Sequence, residues 1–345
     1  MPRRKTSTPQ KVKDDGMRGV RRNYRKRGFS KTATNIMLSS WRDNTKKSYR
    51  PYIKKWQIYA NKRGIDPVHP HVSGPINFMS KLVSRGISYS SLCITRSALS
   101  CFIDTNYTNG ITFGSLPEVK RLMKGAFEIN PTYPESSKAT TWDPNIVLDY
   151  LKNLYPNRQL SLKELTLKLV TLLALCTGQR LQTIQKLNTD NMTLKENKSS
   201  FIITEKLKHT RKGHHLKPIE LSAYPHDKDL CVIHTLHEYI EKTTVHRKNT
   251  QLLISFQKPH NSVGKDTIAR WIKSTLESAG IDTTVYTAHS TRAASTSAVN
   301  KTALSINTIL NAAGWTREST FSRFYKKQTV ENFGQTLMSS YLSKI

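Results

Sequence analysis

Between His289 and Tyr325 the chain sets out an imidazole, a guanidinium, an indole and a phenol. The stretch reads Ala288-His289-Ser290-Thr291-Arg292, then Ala313-Gly314-Trp315, then Ser322-Arg323-Phe324-Tyr325. Upstream, an apolar helical pattern stops abruptly at Thr177-Gly178-Gln179-Arg180. Together these residues suit metal-free attack on a phosphodiester, with a phenol as nucleophile. Two arginines on the non-bridging oxygens would stabilise the extra charge of a pentacoordinate phosphorane.

Arg180 directly follows a helical pattern whose face is almost all leucine. A guanidinium beside a core is costly unless an anion meets it. Its immediate helical neighbours include no carboxylate, so a substrate phosphate, matched bidentately, is the expected partner. Arg292 opens onto a run of small residues, Ala293-Ala294-Ser295-Thr296-Ser297-Ala298. Such a run lets a helix pack tightly and present its first-turn N–H groups to an anion. His289 and Arg292 are three apart and can face one site. A lone tyrosine in the context of Tyr325 would read as an aromatic half in the core. Ten residues after Trp315, and close to basic groups that would favour a phenolate, it reads as the nucleophile.

The elements that must hold these groups follow from periodicity. Leu162, Leu165, Leu169, Leu172, Leu173 and Cys176 recur on one face of a buried helix that Gly178 closes. Phe201-Ile202-Ile203-Thr204 and Leu216-Lys217-Pro218-Ile219-Glu220-Leu221 flank a polar, basic loop and predict a β-hairpin. Helices are expected at about 229–243, 266–279, 290–300, 305–313 and 317–326, with Asp266 and Gly280 as caps of the second. From about 31 to 130 the pattern is helical throughout, predicting four or five helices in a small all-α domain. There Trp41, Tyr49, Tyr52, Ile53 and Trp56 share one face, with Arg42, Lys46, Lys47 and Arg50 around them.

Of the 345 residues, 55 are Lys or Arg and 24 are Asp or Glu, a net charge of +31 that points to a polyanion such as a phosphate backbone. No apolar run approaches the ~20 residues of a membrane-spanning helix. The start of the chain lacks the apolar core of a secretory signal. Residues 1–30 carry eleven Lys or Arg and read as a disordered basic arm that serves nuclear import, DNA tracking or both. Residues 131–140 read as a linker, and a second domain runs over 141–345. The four cysteines form no CxxC pair and fit reduced, buried thiols. His209, His214 and His215 crowd one loop, but no cysteine or carboxylate set completes a zinc site there. Sparse acidic residues also argue against a metal-dependent nuclease.

With those residues in view, the chain from about residue 30 onward resembles the tyrosine recombinases. The family's Arg–Lys–His–Arg–His/Trp–Tyr signature maps onto Arg180, Lys208, His289, Arg292, Trp315 and Tyr325. More narrowly, Thr177-Gly178-Gln179-Arg180, Lys258-Pro259-His260, Ile268-Ala269-Arg270-Trp271 and His289-Ser290-Thr291-Arg292 resemble recombinases of DIRS-type and Crypton-type eukaryotic mobile elements. The resemblance implies a mainly α fold with a small β-sheet or hairpin in the catalytic domain. It implies two domains in a C-shaped clamp on DNA: a helical core-binding domain over 31–130 and a mixed α/β catalytic domain over 141–345. Tyr325 would attack the scissile phosphate to leave a 3′-phosphotyrosyl enzyme and a free 5′-hydroxyl. Arg180 and Arg292 would hold the phosphate, His289 would accept or orient the tyrosine proton, and Trp315 would donate its N–H. Lys208, on the hairpin loop, would protonate the leaving oxygen, with no cofactor, metal or ATP.

The expected partners are duplex DNA and further copies of the chain, in a tetrameric synapse within the nucleus. Neither a membrane nor a small-molecule substrate is expected. Arg42, Lys46, Lys47, Arg50, Lys206 and Arg211 are further DNA-contact candidates. The rival reading is a DNA-binding protein descended from a recombinase and no longer catalytic. Three positions depart from the family pattern. Thr183 stands where an acidic residue usually follows the first arginine by three. Phe324 occupies the usual nine-residue spacing after the His/Trp position, so Tyr325 implies one extra residue in the turn. Lys206 and Lys212 share the hairpin with Lys208, and Lys206 remains an alternative acid.

Overall fold

Aromatic and aliphatic side chains at helical spacing build the first of two units, whose core centres on Trp56, Met79, Leu99 and Phe102. The computed structural model describes residues 17–104, 110–131, 140–207, 210, 213, 215–300, 305–314, 318–325 and 328–329. Its units are Met1–Tyr133 and Pro134–Ile345. The first contains α1 (Arg18–Lys26), α2 (Lys31–Leu38), α3 (Asp43–Asn61), α4 (Ser73–Ser84), α5 (Tyr89–Phe102) and α6 (Pro117–Ile129). Ser30 and Ser88 cap α2 and α5 by accepting from the amides of Ala33 and Ser91. On α3, Ile53 and Trp56 are buried, while Tyr49 and Tyr52, and Trp41 just before the helix, pack partly buried on the same cluster. The Trp56 indole donates to the Pro67 carbonyl at 2.9 Å, so the buried ring keeps its polar atom satisfied.

The expectation of an irregular arm over residues 1–30 needs correction where the structure describes it. Arg18–Lys26 is helical, and Met17, Val20 and Asn23 are buried beneath it. Nine residues make a marginal helix alone. Packing supplies what local propensity lacks, a term that charge density in sequence does not reveal. The rest of the arm, 1–16, lies outside the described residues.

The second unit contains β1 (Thr140–Thr141), α7 (Pro144–Lys152), α8 (Leu162–Thr177), α9 (Leu181–Gln185), β2 (Met192–Leu194), β3 (Lys198–Phe201) and β4 (Ile219–Ser222). It continues with α10 (Val232–Thr243), α11 (Lys265–Ser278), α12 (Ser290–Asn300), α13 (Ile306–Ala313), α14 (Glu318–Phe324) and β5 (Gln328–Thr329). Helix α8 is its axis. A capping box between Ser161 and Glu164 starts it. Leu165, Leu169, Leu172 and Leu173 are buried along it, and α10, α11 and α12 pack around it. The fold is thus mainly helical with one small antiparallel sheet in the order β2-β3-β4, plus a short parallel pair of β1 with β5.

Two boundaries differ from the sequence reading. The hairpin is present, but its first strand ends at Phe201 rather than running over 201–204, and β2 joins as a third strand. Alternation explains this: Ser199 and Phe201 point inward, whereas Ile202 is exposed. Helix α11 begins at Gly264, so Asp266 lies in its first turn instead of capping it. Gly280, in the left-handed region at φ 86°, ends it as expected. All four cysteines are free, but only Cys231 is fully buried.

Lys168 is buried mid-way along α8, where no counter-charge was foreseen. Its ammonium donates to the Leu154 carbonyl at 2.5 Å and to Asn157 Oδ1 at 3.0 Å. Burial pushes the amine down from 10.5 to about 8, against the upward pull of Asp229 and Asp227. Below pH 8 both states are protonated and the desolvation cost is fully present. Between pH 8 and 10.5 the unfolded chain binds the extra proton, so stability rises with pH through that window. Lys168→Met should lack this component. The melting temperature of the parent minus that of the variant should therefore climb across the window by several degrees, at about 2–4 °C per kcal/mol. A constant difference would mean that the buried amine carries no such penalty.

Candidate active site

The site grows from the end of α8. That helix must stop where its leucine face runs out, and Gly178 stops it in the left-handed region at φ 55°. A Cβ at Gly178 would lie 3.1 Å from Thr296 Cγ2 and 3.8 Å from Ala313 Cβ, so glycine also permits α12 and α13 to approach. Helix α13 ends in the same way, at Gly314 with φ 68°. The Gln179 amide donates to the Ala312 carbonyl at 2.5 Å, tying the turn after α8 to the end of α13.

Arg292 fills the space between these two helix ends and is only 1% exposed. Nη1 donates to the Gly178 carbonyl at 2.6 Å and Nη2 to the Ala313 carbonyl at 2.8 Å. Both acceptors sit at helix C-termini, where the backbone dipole is negative and a cation is favoured. Each terminal nitrogen carries a second N–H, and the clamp fixes the directions in which these point. Its Cζ lies 5.2 Å from the centroid of the Tyr325 ring.

The turn into α12 sets His289. Ser290 N donates to Thr287 O at 2.8 Å and Arg292 N to His289 O at 3.3 Å. The buried Trp142 locks this turn through Nε1, which donates to Ser290 Oγ at 2.8 Å. His289 itself is exposed, and its Nε2 lies 3.2 Å from the Tyr325 hydroxyl. The two rings meet edge-to-face with centroids 6.0 Å apart.

Tyr325 follows α14, which is anchored by the buried Phe321 against Ile309 and Ala313. Its amide donates to Phe321 O at 2.8 Å, and its carbonyl accepts from Ser297 Oγ at 2.5 Å. Ser297 on α12 therefore places the phenol relative to Arg292 on the same helix and to His289 just before it. Arg180, half-buried at the start of α9, completes the group. Burial pushes its guanidinium down, and Tyr325 partly offsets that. Arg292 is pushed down to about 9, first by burial and then by the charge of Arg180, with Tyr325 again opposing. The charge of Arg180 thus bears on Arg292, and a phosphate placed beside these two cations would relieve it.

Four of the six signature residues thus converge: Arg180, His289, Arg292 and Tyr325. Trp315, Lys208 and Arg211 lie outside the described residues. Lys206 is exposed beyond β3. Arg42, Lys47 and Arg50 are exposed on the N-terminal half of α3 in the other unit, and Lys46 lies 3.7 Å from Asp43. Tyr286, another phenol in this region, lies 3.4 Å from Thr140 Oγ1. Thr183 is buried on α9, three residues after Arg180, so the position that usually carries an acid is neutral. Among the described residues no cluster of three or more His, Cys, Asp or Glu is placed to hold a metal.

Sequence reasoning passed over Trp142, Gln179 and Ser297. The first signals itself only as a tryptophan just past a linker. Ser297 is one of several alike in a small-residue run, and nothing local marks it out.

A model of the phage integrase family matches residues 147–331. The fold is similar to that of XerH site-specific recombinase bound to palindromic difH substrate in a post-cleavage complex. That similarity has a TM-score of 0.55 at 15% identity, covering 81% of this chain and 75% of that one. A lambda integrase tetramer bound to a Holliday junction gives 0.53 at 15% identity, over 92% and 78%. The Tn1549 transposon integrase in complex with circular intermediate DNA gives 0.54 at 10% identity, over 94% and 98%. No curated protein matches the chain.

The clamp between helix ends makes a stability prediction separable from chemistry. Arg292→Met leaves two buried carbonyls without donors and should lower the unfolding free energy of this unit by about 2–6 kcal/mol, at ~1–3 kcal/mol per lost bond. Arg180→Met removes a cation from beside another and should cost less than about 1 kcal/mol. Urea unfolding of both variants measures the contrast. Equal losses would mean that Arg292 is not the structural clamp.

Proposed function

Since this chain belongs to the phage integrase family, we propose that it cuts and rejoins duplex DNA through a phosphotyrosyl intermediate on Tyr325. One observation carries the reading: the Tyr325 hydroxyl lies 3.2 Å from His289 Nε2, with the Arg292 guanidinium over its ring. A phenol in that position has a proton acceptor within reach and an anion receptor beside it. Attack forms the Tyr325 Oη–phosphorus bond and breaks the bond to the 5′-oxygen. The tyrosine proton passes toward His289, and the departing 5′-oxygen takes a proton from Lys208, with Lys206 as the alternative donor. Arg180 and Arg292 hold the non-bridging oxygens, and Trp315 adds its N–H. The covalent link conserves the phosphodiester's energy, so religation needs no ATP.

The substrate we propose is the terminus of a eukaryotic mobile element, handled in the nucleus by a tetramer. The motif stretches shared with DIRS-type and Crypton-type recombinases support this, as does the basic segment that begins the chain. So does the lambda integrase tetramer on a Holliday junction, a relative in fold.

The test is covalent capture on a nicked or suicide duplex in excess EDTA. The parent chain should form an adduct resistant to denaturant, and Tyr325→Phe should form none while its DNA affinity stays within a few fold. An adduct that survives the substitution moves the nucleophile elsewhere. A requirement for Mg²⁺ would sink the mechanism. No adduct from the parent on any duplex, with binding intact, would favour the non-catalytic DNA-binding protein.

Ser297→Ala should slow adduct formation by about 10-fold or more, because a misplacement of ~1 Å can cost 10² in rate. Its duplex affinity should be unaltered, and Ser297→Thr should recover part of the loss. An unchanged rate would remove Ser297 from the positioning of Tyr325.

A further inference from the structure

Helix α1 presents an unusual combination: a heavily cationic segment held rigidly on its domain. Five of its nine residues are Arg or Lys, and its first turn has no acid. Arg18, Arg22, Arg25 and Lys26 are exposed and fall at i, i+4, i+7 and i+8, one stripe along the helix. Like charges three and four apart oppose helix formation. An element that disfavours itself in this way persists only if something else holds it.

The other face shows what holds it. Met17, Val20 and Asn23 are buried, and Gly19 allows contact no side chain would permit. A Cβ at Gly19 would stand 2.5 Å from Phe102 Cε2 on α5 and 3.0 Å from Gln57 Nε2 on α3. At the C-terminal end Arg27 Nη1 lies 3.7 Å from Asp104 Oδ1, a buried carboxylate that also faces His69 Nε2 at 3.6 Å. Arg25 Nη1 closes the helix end by donating to the Phe29 carbonyl at 2.9 Å. The stripe is therefore mounted at a fixed place and orientation on the first unit.

We propose that the exposed stripe of α1 is a docked contact surface for the phosphate backbone of duplex DNA. It rests on the reading of the chain as a DNA strand-transfer enzyme and adds to that enzyme a fixed anchoring site. A helix rises 1.5 Å per residue, so Arg18 and Lys26 span ~12 Å along the axis. One DNA strand advances 3.4 Å per phosphate, so that span meets roughly three or four phosphates. Side chains of this kind match phosphate oxygens without reading bases. The contact is thus expected on any duplex, and a fixed helix meets the backbone with less ordering entropy than a loose arm.

The experiment uses the full chain with Arg22, Arg25 and Lys26 all changed to Gln. Glutamine keeps helix propensity close to that of the residues it replaces, so α1 should remain folded, as circular dichroism would verify. Affinity for a mixed-sequence duplex of about 30 bp is measured between roughly 50 and 200 mM NaCl, and three lost contacts should reduce the slope of log K against log salt by about 2–3. In the parent chain, acetylation of the Lys26 amine followed by mass spectrometry should show protection by the same duplex. An unchanged slope overturns the proposal, and so does equal acetylation of Lys26 with and without DNA. Adduct formation by Tyr325 is scored on the triple variant at saturating duplex. Persistence there leaves the catalytic reading standing whatever α1 does. Lys26 protection in a parent chain that forms no adduct would uphold the α1 surface while the catalytic reading fails.

Discussion

Everything at the site depends on one buried guanidinium. Arg292 is taken out of water at a cost that would normally exclude an arginine from a core. Two helix C-termini offset it. The carbonyls of Gly178 and Ala313 accept its bonds, and both lie where backbone dipoles make a cation welcome. The arrangement needs both helices to end in glycine, because the left-handed turns at Gly178 and Gly314 aim those ends at one point. Glycine's missing side chain matters equally, as a Cβ at Gly178 would press on α12 and one at Gly314 would come within 2.9 Å of Leu216. The clamp thus joins α8, α12 and α13 before any substrate is considered.

Helix α12 then acts as the ruler of the site. His289 precedes it, Arg292 lies in its first turn, and Ser297 lies a turn and a half further on. The first faces the Tyr325 hydroxyl, the second lies against its ring, and the third holds its main chain. One element therefore fixes the imidazole, the guanidinium and the phenol in mutual register. Arg180 arrives from the other side, on the turn that α8 must make. The charge of Arg180 bears on Arg292, and an anion placed beside the two would relieve it.

Legibility varied with how local the cause was. The leucine spacing of α8 and its glycine stop were readable because a helix's own neighbours set both. So was α12, whose bounds match the reading of 290–300. The strand ending at Phe201 was misjudged because Ile202 and Ile203 look equally apolar, and only packing decides which face is covered. Gly264 rather than Asp266 is the cap of α11, and it offers no side chain by which a sequence could mark it. The first helix was invisible for a different reason. Its charge argues for disorder, and its stability comes from Phe102 and Asp104, more than seventy residues away in sequence.

Residue types and their order along the chain pointed to the chemistry proposed. Arg180, His289, Arg292 and Tyr325 are recognisable because a guanidinium, an imidazole and a phenol have few joint uses, and because those uses need no neighbour to define them. What the chain order left open was distance. Tyr325 lies one place beyond the usual spacing, and Phe324 stands where a nucleophile would be sought. In the fold, Phe321 is anchored under α13 and the Tyr325 carbonyl is tied to Ser297, which turns the phenol toward His289. Trp142, Gln179 and Ser297 became visible only there. They hold the site together through single hydrogen bonds between segments distant in sequence, and such bonds leave no periodicity for a sequence to show.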